Sequence, residues 1–486
     1  MSISQSLATA TSGLGAASRR ASIVSSNISN ALTPGYSRRE VLTTERLISG
    51  RPAGVEVTAI QRAQDQALTA TRRLAEADAS RDSALSQTAS YLSEVLGGPE
   101  DPFSFFGSVQ ALEDAFSGLR EQPGSATQQK SVIFAAKQLT TNFQQLSAEA
   151  SRIRQSADAE ISRQVDEVNA ALKQVEELNL EIRTTIAAGR DSNGLEDQRQ
   201  RVIDQISGII PIKELPREGG KVDLVTNEGV FLLAGSAREI NFSTTGVFAA
   251  GQSYADGHLS GITVDGIDIT PGGIGPLQVS GGSLTAQFQI RDDVIPEFGQ
   301  QLDALAGDLI ARFSDPVNDP TLQNGVPGLF TDGGSALDAD PEPGIAARIQ
   351  LNAAVDPNQG GQLWRVRDGI GAQAPGETGN TSVVTTLLDG LRNTRNIDAP
   401  GFSGEFSVID AAAQFVSLRG TQSLFADTQA STSGARAQSL IQAEQEAVGV
   451  DTDFELQSLL RVEQAFQANA RVIQVVDAML DQLLEI

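Results

Sequence analysis

The 486-residue sequence has no cysteine, one histidine, one tryptophan and three tyrosines. Without cysteine, disulfides, thiolate nucleophiles and cysteine metal sites are all excluded. With His258 alone, neither a pair of imidazoles nor a multi-histidine metal centre can be assembled. Basic residues are also short, since 36 Lys and Arg face 61 Asp and Glu and leave a formal charge of −25. Such a charge repels phosphate backbones and acidic lipid, so nucleic acid is not expected as a partner. No stretch approaches about eighteen unbroken apolar residues, and no membrane insertion is expected. The opening "MSISQSLATATSGLGAASRR" has no basic leader and no dense apolar core, which argues against a cleaved signal peptide and the general secretory route. Scarce aromatics beside plentiful Ala, Gln, Ser and Leu favour long helices over a compact enzyme core. The length suggests about two to four domains with enough interior to need no staples.

What the sequence does have is periodicity at both ends. Ile3, Leu7, Ala10, Leu14, Ala17, Ala21, Val24, Ile28 and Ala31 alternate steps of four and three, one stripe of a helix with a coiled-coil period. "TPGY" stops it: Pro34 cannot continue a helix and disfavours one at Thr33, Gly35 supplies the positive φ of a type II turn, and Tyr36 is expected to dock on nearby helices. At the other end, Asp451 or Thr452 is the candidate N-cap of a helix whose Leu459, Val462, Phe466, Asn469, Ile473, Val476, Leu480 and Leu483 step by three and four. Leu456, Ala465, Val472 and Met479 widen that stripe. The two helices would span roughly 42 and roughly 40 Å, so each end is the expected partner of the other.

Between them, residues 37–60 read as extended chain or a hairpin, and helix returns over about 61–96 and about 108–207, broken near "EQPGSA" and "GRDSNG". Val168, Leu172, Val175, Ile182 and Ile186 keep the four-three stepping, with Asn179 a polar interruption. Alternation and glycine-rich turns mark β structure from about 211 to 282, helical spacing resumes over 284–313, and 314–403 reads as irregular or a second β excursion. Helix then runs to the end of the sequence except at 449–453.

The fold class expected is mainly α with inserted β: a coiled-coil or helical-bundle stalk built from both chain ends, with small outer β domains. Residues 1–36 and 450–486 would form a terminal-helix domain, 37–210, 283–315 and 404–449 a helical stalk domain, and 211–282 and 316–403 the outer β-rich or irregular part. The amino-terminal seam is largely alanine or otherwise small. At about 0.8 kcal/mol per buried CH₂ it is weak against ordering costs near 1 kcal/mol per residue. End stripes are often ordinary bundle faces, but so weak a seam points to terminal helices that are disordered in the isolated subunit and are completed by neighbouring copies.

"SGLGAASRRASIVSSNISNALTPGYSRRE" resembles the amino-terminal signature of bacterial flagellar rod, hook and hook-associated proteins, through Ser12, Gly13, Leu14, Ser26, Asn27, Asn30, Thr33, Gly35 and Tyr36. "GVDTDFELQSLLRVEQAFQANARVIQ" is similar to the carboxyl-terminal pattern of the first hook-associated protein family, through Gly449, Val450, Asp453, Glu455, Leu459, Gln464, Phe466, Ala468, Ala470, Arg471, Val472 and Ile473. Glu463 and Asn469 depart from it, the latter where alanine is common. "GLEDQRQRVIDQIS" and "GGSLTAQFQIRDDVIPEFGQQLDALA" resemble that family's helical domain, whereas 211–280 and 314–403 resemble it only thinly.

The resemblance implies a noncatalytic, extracellular flagellar subunit of the hook–filament junction, without cofactor or metal, exported by the flagellar type III pathway. Its partners would be further copies of itself in an axial ring, hook protein, the second junction protein, and an export chaperone on the carboxyl-terminal helix. The assembly residues would be Ile3, Leu7, Leu14, Val24, Asn27, Ile28, Asn30, Thr33, Pro34, Gly35 and Tyr36, with Leu456, Leu459, Val462, Phe466, Ile473, Val476, Leu480 and Leu483. Another axial subunit, hook protein or second junction protein, is the alternative; a secreted cell-wall enzyme is the remote one. Enzyme signals are thin. "PGGIGPLQVSGG" lacks the Lys-Ser/Thr ending of a phosphate loop, and "DSNGLED" and "DADPEP" lack calcium-loop spacing. Paired acids for glycoside cleavage have no particular candidate, because carboxylate separation is a folded-state distance. Arg19, Arg20, Arg38 and Arg39 make a local basic patch, either solvated charge or an inter-subunit contact.

Overall fold

A computed structural model describes residues 3–48 and 51–484, with side chains for 3–47 and 53–482. Helix α1 (Ile3–Ser29) turns into a hairpin of β1 (Arg39–Ile48) and β2 (Arg51–Arg62), followed by α2 (Gln66–Leu96), α3 (Phe105–Glu121), α4 (Ala126–Ala187) and α5 (Asn193–Ile209). Short strands follow: β3 (Ile212–Pro216), β4 (Val222–Thr226), β5 (Phe231–Ala234), β6 (Ser236–Ala237), β7 (Ile240–Asn241), β8 (Thr263–Val264) and β9 (Ile267–Asp268). Next come α6 (Gly282–Gln289), α7 (Ile295–Ser314), β10 (Phe330–Asp332), α8 (Ile345–Arg348), β11 (Ile349–Leu351), α9 (Arg365–Asp368) and α10 (Ser382–Arg392). The chain closes with β12 (Arg395–Ala399), β13 (Phe402–Phe406), α11 (Val408–Val448) and α12 (Thr452–Leu484).

These elements form two compact units, each made from separated pieces of sequence. The first holds Met1–Ala79, Glu167–Glu239 and Ser433–Ile486; the second holds Ser80–Asp166 and Ile240–Thr432. The fold is mainly α with inserted β, and both chain ends lie in one unit. The pieces are distributed differently from the sequence expectation. Residues 211–239 belong with the terminal helices, 240–282 belong to the second unit, and 316–403 feed that unit's main core rather than a separate one.

In the first unit, β3-β4-β5-β6 is an antiparallel sheet, and the expected stripe of α4 is buried at Val168, Leu172, Val175 and Ile182 while Ile186 at its end is exposed. The polar interruption has a partner. Asn179 Nδ2 donates to the Val222 carbonyl at 2.8 Å, and its Oδ1 accepts from Val222 N at 3.1 Å and from Arg199 at 2.9 Å. One amide thus satisfies both backbone groups of a β4 residue and anchors a buried guanidinium. Arg72 and Arg73 on α2 pair with Asp204 on α5 at 2.7 and 2.6 Å, and further with Glu444 and Glu214.

The second unit is organised by phenylalanine. Phe105 packs edge-on to Phe143 at 5.0 Å and to Phe415 at 5.8 Å, and Phe313 does the same to Phe330 at 5.0 Å. The predicted face of α7, Leu302, Leu305 and Leu309, is buried in this core, and so are Ile349, Val384, Leu388, Ile397 and Phe402 from the region read as irregular. Between α6 and α7 a π turn over Ile290–Val294 precedes Pro296. It carries Arg291, fully buried and satisfied by Asp158 at 2.8 Å, Asp292 at 2.9 Å and the Ser260 carbonyl at 2.9 Å.

Replacing Asn179 by alanine leaves the Val222 N–H and C=O and one buried guanidinium short of partners. The expected loss is about 2–4 kcal/mol in the first unit. Hydrogen exchange checks it: amides of β4 and β5 should lose protection while those of α7 in the second unit keep theirs.

Candidate functional site

The two chain ends form one antiparallel helix pair in the first unit. Asn27 of α1 meets Glu455 of α12, and Gly13 meets Asn469, and the same number of residues separates the two contacts on each helix. That fixes the register over roughly 21 Å. Ala10, Ala16, Ala17 and Val24 are buried on α1, and Val462 and Val476 on α12, with Ile3, Leu14, Ile28, Leu459 and Ile473 half-buried. Gly13 has a reason of its own: a Cβ there would stand 2.8 Å from Asn469 Oδ1. The asparagine that departs from the family pattern is therefore matched by the absence of a side chain opposite.

Not every stripe residue enters the pair. Leu7, Leu456, Phe466 and Leu480 are exposed, and the side chain of Leu483 lies outside the described residues. Leu480 falls opposite the first residues of α1 in this register. Leu456 sits beside Glu455 but turns away from α1, and Phe466 lies beside the narrow contact that an alanine-rich helix offers. The two helices also differ in cover. α1 has α12 on one side and the β1–β2 hairpin on another: Ser12 Oγ accepts from Val55 N at 3.1 Å, Arg20 donates to Thr43 Oγ1 at 2.9 Å, and Gly54 (φ +110°) leaves room for Ser12. The side of α12 away from α1 carries Phe454, Leu460, Val472, Val475 and Met479 exposed to solvent.

The turn after α1 is built on the side chain of Asn27, which is 1% exposed. Its Nδ2 donates to Glu455 Oε1 at 2.9 Å and to the Arg39 carbonyl at 3.0 Å; its Oδ1 accepts from Tyr36 OH at 2.8 Å and from Arg39 N at 3.0 Å. All four hydrogen-bonding sites of the amide are used. Asn30 closes the helix, donating to the Ser26 carbonyl at 2.9 Å and accepting from Thr33 Oγ1 at 3.3 Å. Tyr36 N donates to the Thr33 carbonyl at 3.1 Å across Pro34 and Gly35, and Gly35 takes φ +73° with its α-carbon against Arg201, where a Cβ would come within 2.6 Å. Tyr36 thus folds back on its own helix rather than onto another.

The basic patch divides. Arg39 stacks on Tyr36 at 4.9 Å and reaches Asp197 at 3.3 Å, which also pairs with Arg62 at 2.7 Å. Arg38 pairs with Glu40 at 2.9 Å, and its N–H donates to the Val448 carbonyl at 2.9 Å, while Arg19 is exposed. Asp451 is the cap of α12, its Oδ1 accepting from Asp453 N at 2.9 Å and Phe454 N at 3.1 Å. Glu455 entered the sequence reading only as a residue of the carboxyl-terminal family pattern, with no partner assigned to it. Its signal was there: it stands four residues before Leu459, in step with the apolar stripe, and an acid buried at such a position needs a partner. Burial raises its carboxyl above 4.5, opposed by the Asn27 hydrogen bond and the Arg38 charge. Burial likewise raises Asp197, opposed by Arg62 and Arg39.

His258 is exposed, and no group of three or more His, Cys, Asp or Glu among the described residues is placed to hold a metal ion. No described helix is long and apolar enough to cross a membrane.

Family models match three stretches: "Flagellar hook-associated protein FlgK helical domain" over residues 89–328, "Flagellar basal body rod FlgEFG protein C-terminal" over 441–486, and "Flagella basal body rod protein" over 7–36. Flagellar hook-associated protein 1 of Bacillus subtilis is 23% identical over 98% of this chain and 97% of its own length; that of Escherichia coli is 24% identical over 98% of both. The chain belongs to the FlgK family of flagellar hook-associated proteins. The solved flagellar hook junction protein FlgK of Burkholderia pseudomallei aligns with 55% of this chain and 47% of that one, at 18% identity and TM-score 0.43, a likeness too partial to carry an argument. The two rod-protein models fall on the helices that pair here, so the FlgK-family chain carries its axial signatures at Asn27 and Glu455, where its ends meet.

Because Glu455 has a folded pKa above its unfolded value, its contribution to stability is fully present below about 4.5 and is lost as pH rises through the folded value. Glu455→Gln keeps an acceptor for Asn27 and removes the charge. At pH 7 the variant should match or exceed the native terminal pair, and the difference should shrink below pH 4.5, read by hydrogen exchange in α1; the opposite trend would refute the assignment. Gly13→Ala forces the tip of Asn469 to rotate and costs more than the helix propensity of alanine returns. Combined with Asn469→Ala it should stabilise α1 by about 1 kcal/mol, a coupling that a double-mutant cycle measures.

Proposed function

We infer that the chain is a structural subunit of the bacterial flagellum at the junction between hook and filament. The observation that carries this is the union of both signature-bearing chain ends in one helix pair, beside a helical region matched by the hook-associated family model. Matches at the termini alone would suit a rod or hook protein equally; the match over 89–328 favours the hook-associated reading.

The finer mechanism is polymerisation through the terminal helices. Residues 1–36 and 450–486 make the axial core, with further copies of the chain packed around it on the hook tip. α1 is already covered by α12 and the hairpin, whereas α12 keeps an apolar side in water, with Leu460 60% and Val475 54% exposed. Leu456, Phe466 and Leu480, at the margins of the seam, are exposed as well. A row of this kind on one helix marks a docking surface, and neighbouring subunits supply the cover that the thin alanine seam lacks. Stability of the pair in an isolated subunit is correspondingly low. Hook protein lies on one side of the ring and the second junction protein on the other.

Before assembly the same apolar side of α12 needs protection. A dedicated export chaperone on residues 454–483 provides it, and the subunit leaves the cell through the flagellar type III pathway. A chain without cysteine crosses into an oxidising environment with no risk of mispairing.

Leu460→Glu together with Val475→Glu places charge on the open side of α12 without touching Asn27, Glu455 or the alanine seam. The isolated subunit should change in stability by no more than about 0.5 kcal/mol. Cells whose only copy carries both changes should fail to retain filaments on their hooks, and purified variant subunit, which bypasses export, should fail to add to native hook ends. Normal filaments would sink the proposed docking side.

A further inference from the structure

The sequence has two Asn-Gly steps, Asn193-Gly194 and Asn324-Gly325, and the fold treats them oppositely. In such a step the Gly backbone nitrogen can attack the Asn side-chain carbon. A new bond forms between that nitrogen and Cγ, the Cγ–Nδ2 bond breaks, and the proton from the Gly amide leaves with the nitrogen as ammonia. Water then opens the resulting five-membered imide on either side, giving aspartate or isoaspartate. The reaction needs a free Asn amide, an unhindered Gly nitrogen and a backbone able to fold onto itself.

At the second step all three conditions are met. Asn324 and Gly325 are exposed, in a turn closed by Val326 N donating to the Gln323 carbonyl at 3.1 Å. Gly325 takes φ +80°, and no atom approaches within 4 Å of where a Cβ would sit. Neither the Asn324 side chain nor the Gly325 amide enters a hydrogen bond among the described residues. At the first step the Asn amide is not free and the backbone is held in a helix. Asn193 is buried in the first turn of α5, its Nδ2 donates to the Ile60 carbonyl at 3.1 Å and to Asp191 Oδ1 at 2.6 Å, and its N–H donates to the same Asp191 oxygen at 2.9 Å.

We propose that Asn324 is a site of spontaneous covalent modification, converting to aspartate and isoaspartate in the folded protein while Asn193 is held unreactive. The change adds a negative charge to an already acidic chain. The extra main-chain carbon of isoaspartate is absorbed within residues 323–326, because the flanking Leu322 and Leu329 are buried in the core. Reaction at Asn193 waits for local opening of α5 and the loss of two side-chain hydrogen bonds.

The test is incubation of the full chain in buffer at pH 8, with peptide mapping by mass spectrometry and isoaspartate detected by enzymatic methyl transfer. Conversion at Asn324 should run at least about tenfold faster than at Asn193, the minimum expected from two hydrogen bonds that must first break. In denaturant the two rates should converge. Asp191→Ala should raise the rate at Asn193, and Asn324→Gln should remove most of the isoaspartate signal. Equal rates in the folded protein, or a faster rate at Asn193, would overturn the proposal, as would a rate difference that persists in denaturant.

Discussion

Two residues 428 positions apart in sequence share one hydrogen bond, from Asn27 to Glu455, and the arrangement of the first unit depends on it. The amide of Asn27 also holds Tyr36 and the start of the hairpin against α1, through Tyr36 OH and both backbone groups of Arg39. An asparagine is required because two donors and two acceptors must point in different directions from one buried group. Aspartate would lose both donors, and a hydroxyl has too few sites. The turn over Thr33-Pro34-Gly35-Tyr36 is then shaped to bring the tyrosine back within reach, and Gly35 passes close to Arg201 as it does so.

That dependence separates strength from direction. The seam between α1 and α12 buries three alanines and three valines, so its hydrophobic contribution is modest and spread evenly along the helices. An even stripe of small residues would tolerate a shift of one heptad almost without cost. The hub at Asn27 and the fit of Gly13 to Asn469 do not tolerate it, since a slip would bury Glu455 without its donor and set a side chain against the amide. Register is therefore set by polar contacts, while the energy of association is left for contacts elsewhere, a division familiar from polar residues in coiled-coil seams.

The helical periods were legible in the sequence because each depends only on residues three and four apart, and so the stripes of α1, α4, α7 and α12 could all be read directly. The stop at Thr33-Pro34-Gly35 was legible for the same local reason. The identity of Asn27's partners was not, since they come from the turn, the hairpin and the far end of the chain. Asn179 looked like a flaw in a stripe for a similar reason: the β4 backbone it serves lies 43 residues away. The grouping of elements escaped sequence reading as well. Residues 316–403 are rich in turn formers, which hides that Phe330, Ile349, Leu388 and Phe402 share a core with Phe105 and Phe415. Turn chemistry describes the path of the backbone, and only packing tells where its few large side chains go.

A gradient of stability follows from where those large side chains lie. The second unit buries phenylalanine from α3, α4, α7, α11 and β10, each worth about 3–5 kcal/mol on truncation. The terminal pair buries mainly methyl groups and relies on hydrogen bonds of about 1 kcal/mol each. Local opening thus begins at the chain ends, at the pair whose outer side is already apolar. A subunit built this way keeps a folded body while its ends remain cheap to undo and redo. Under the proposed assembly, a neighbour packed against α12 would raise the cost of opening without requiring any change in the conformation that Asn27 has already set.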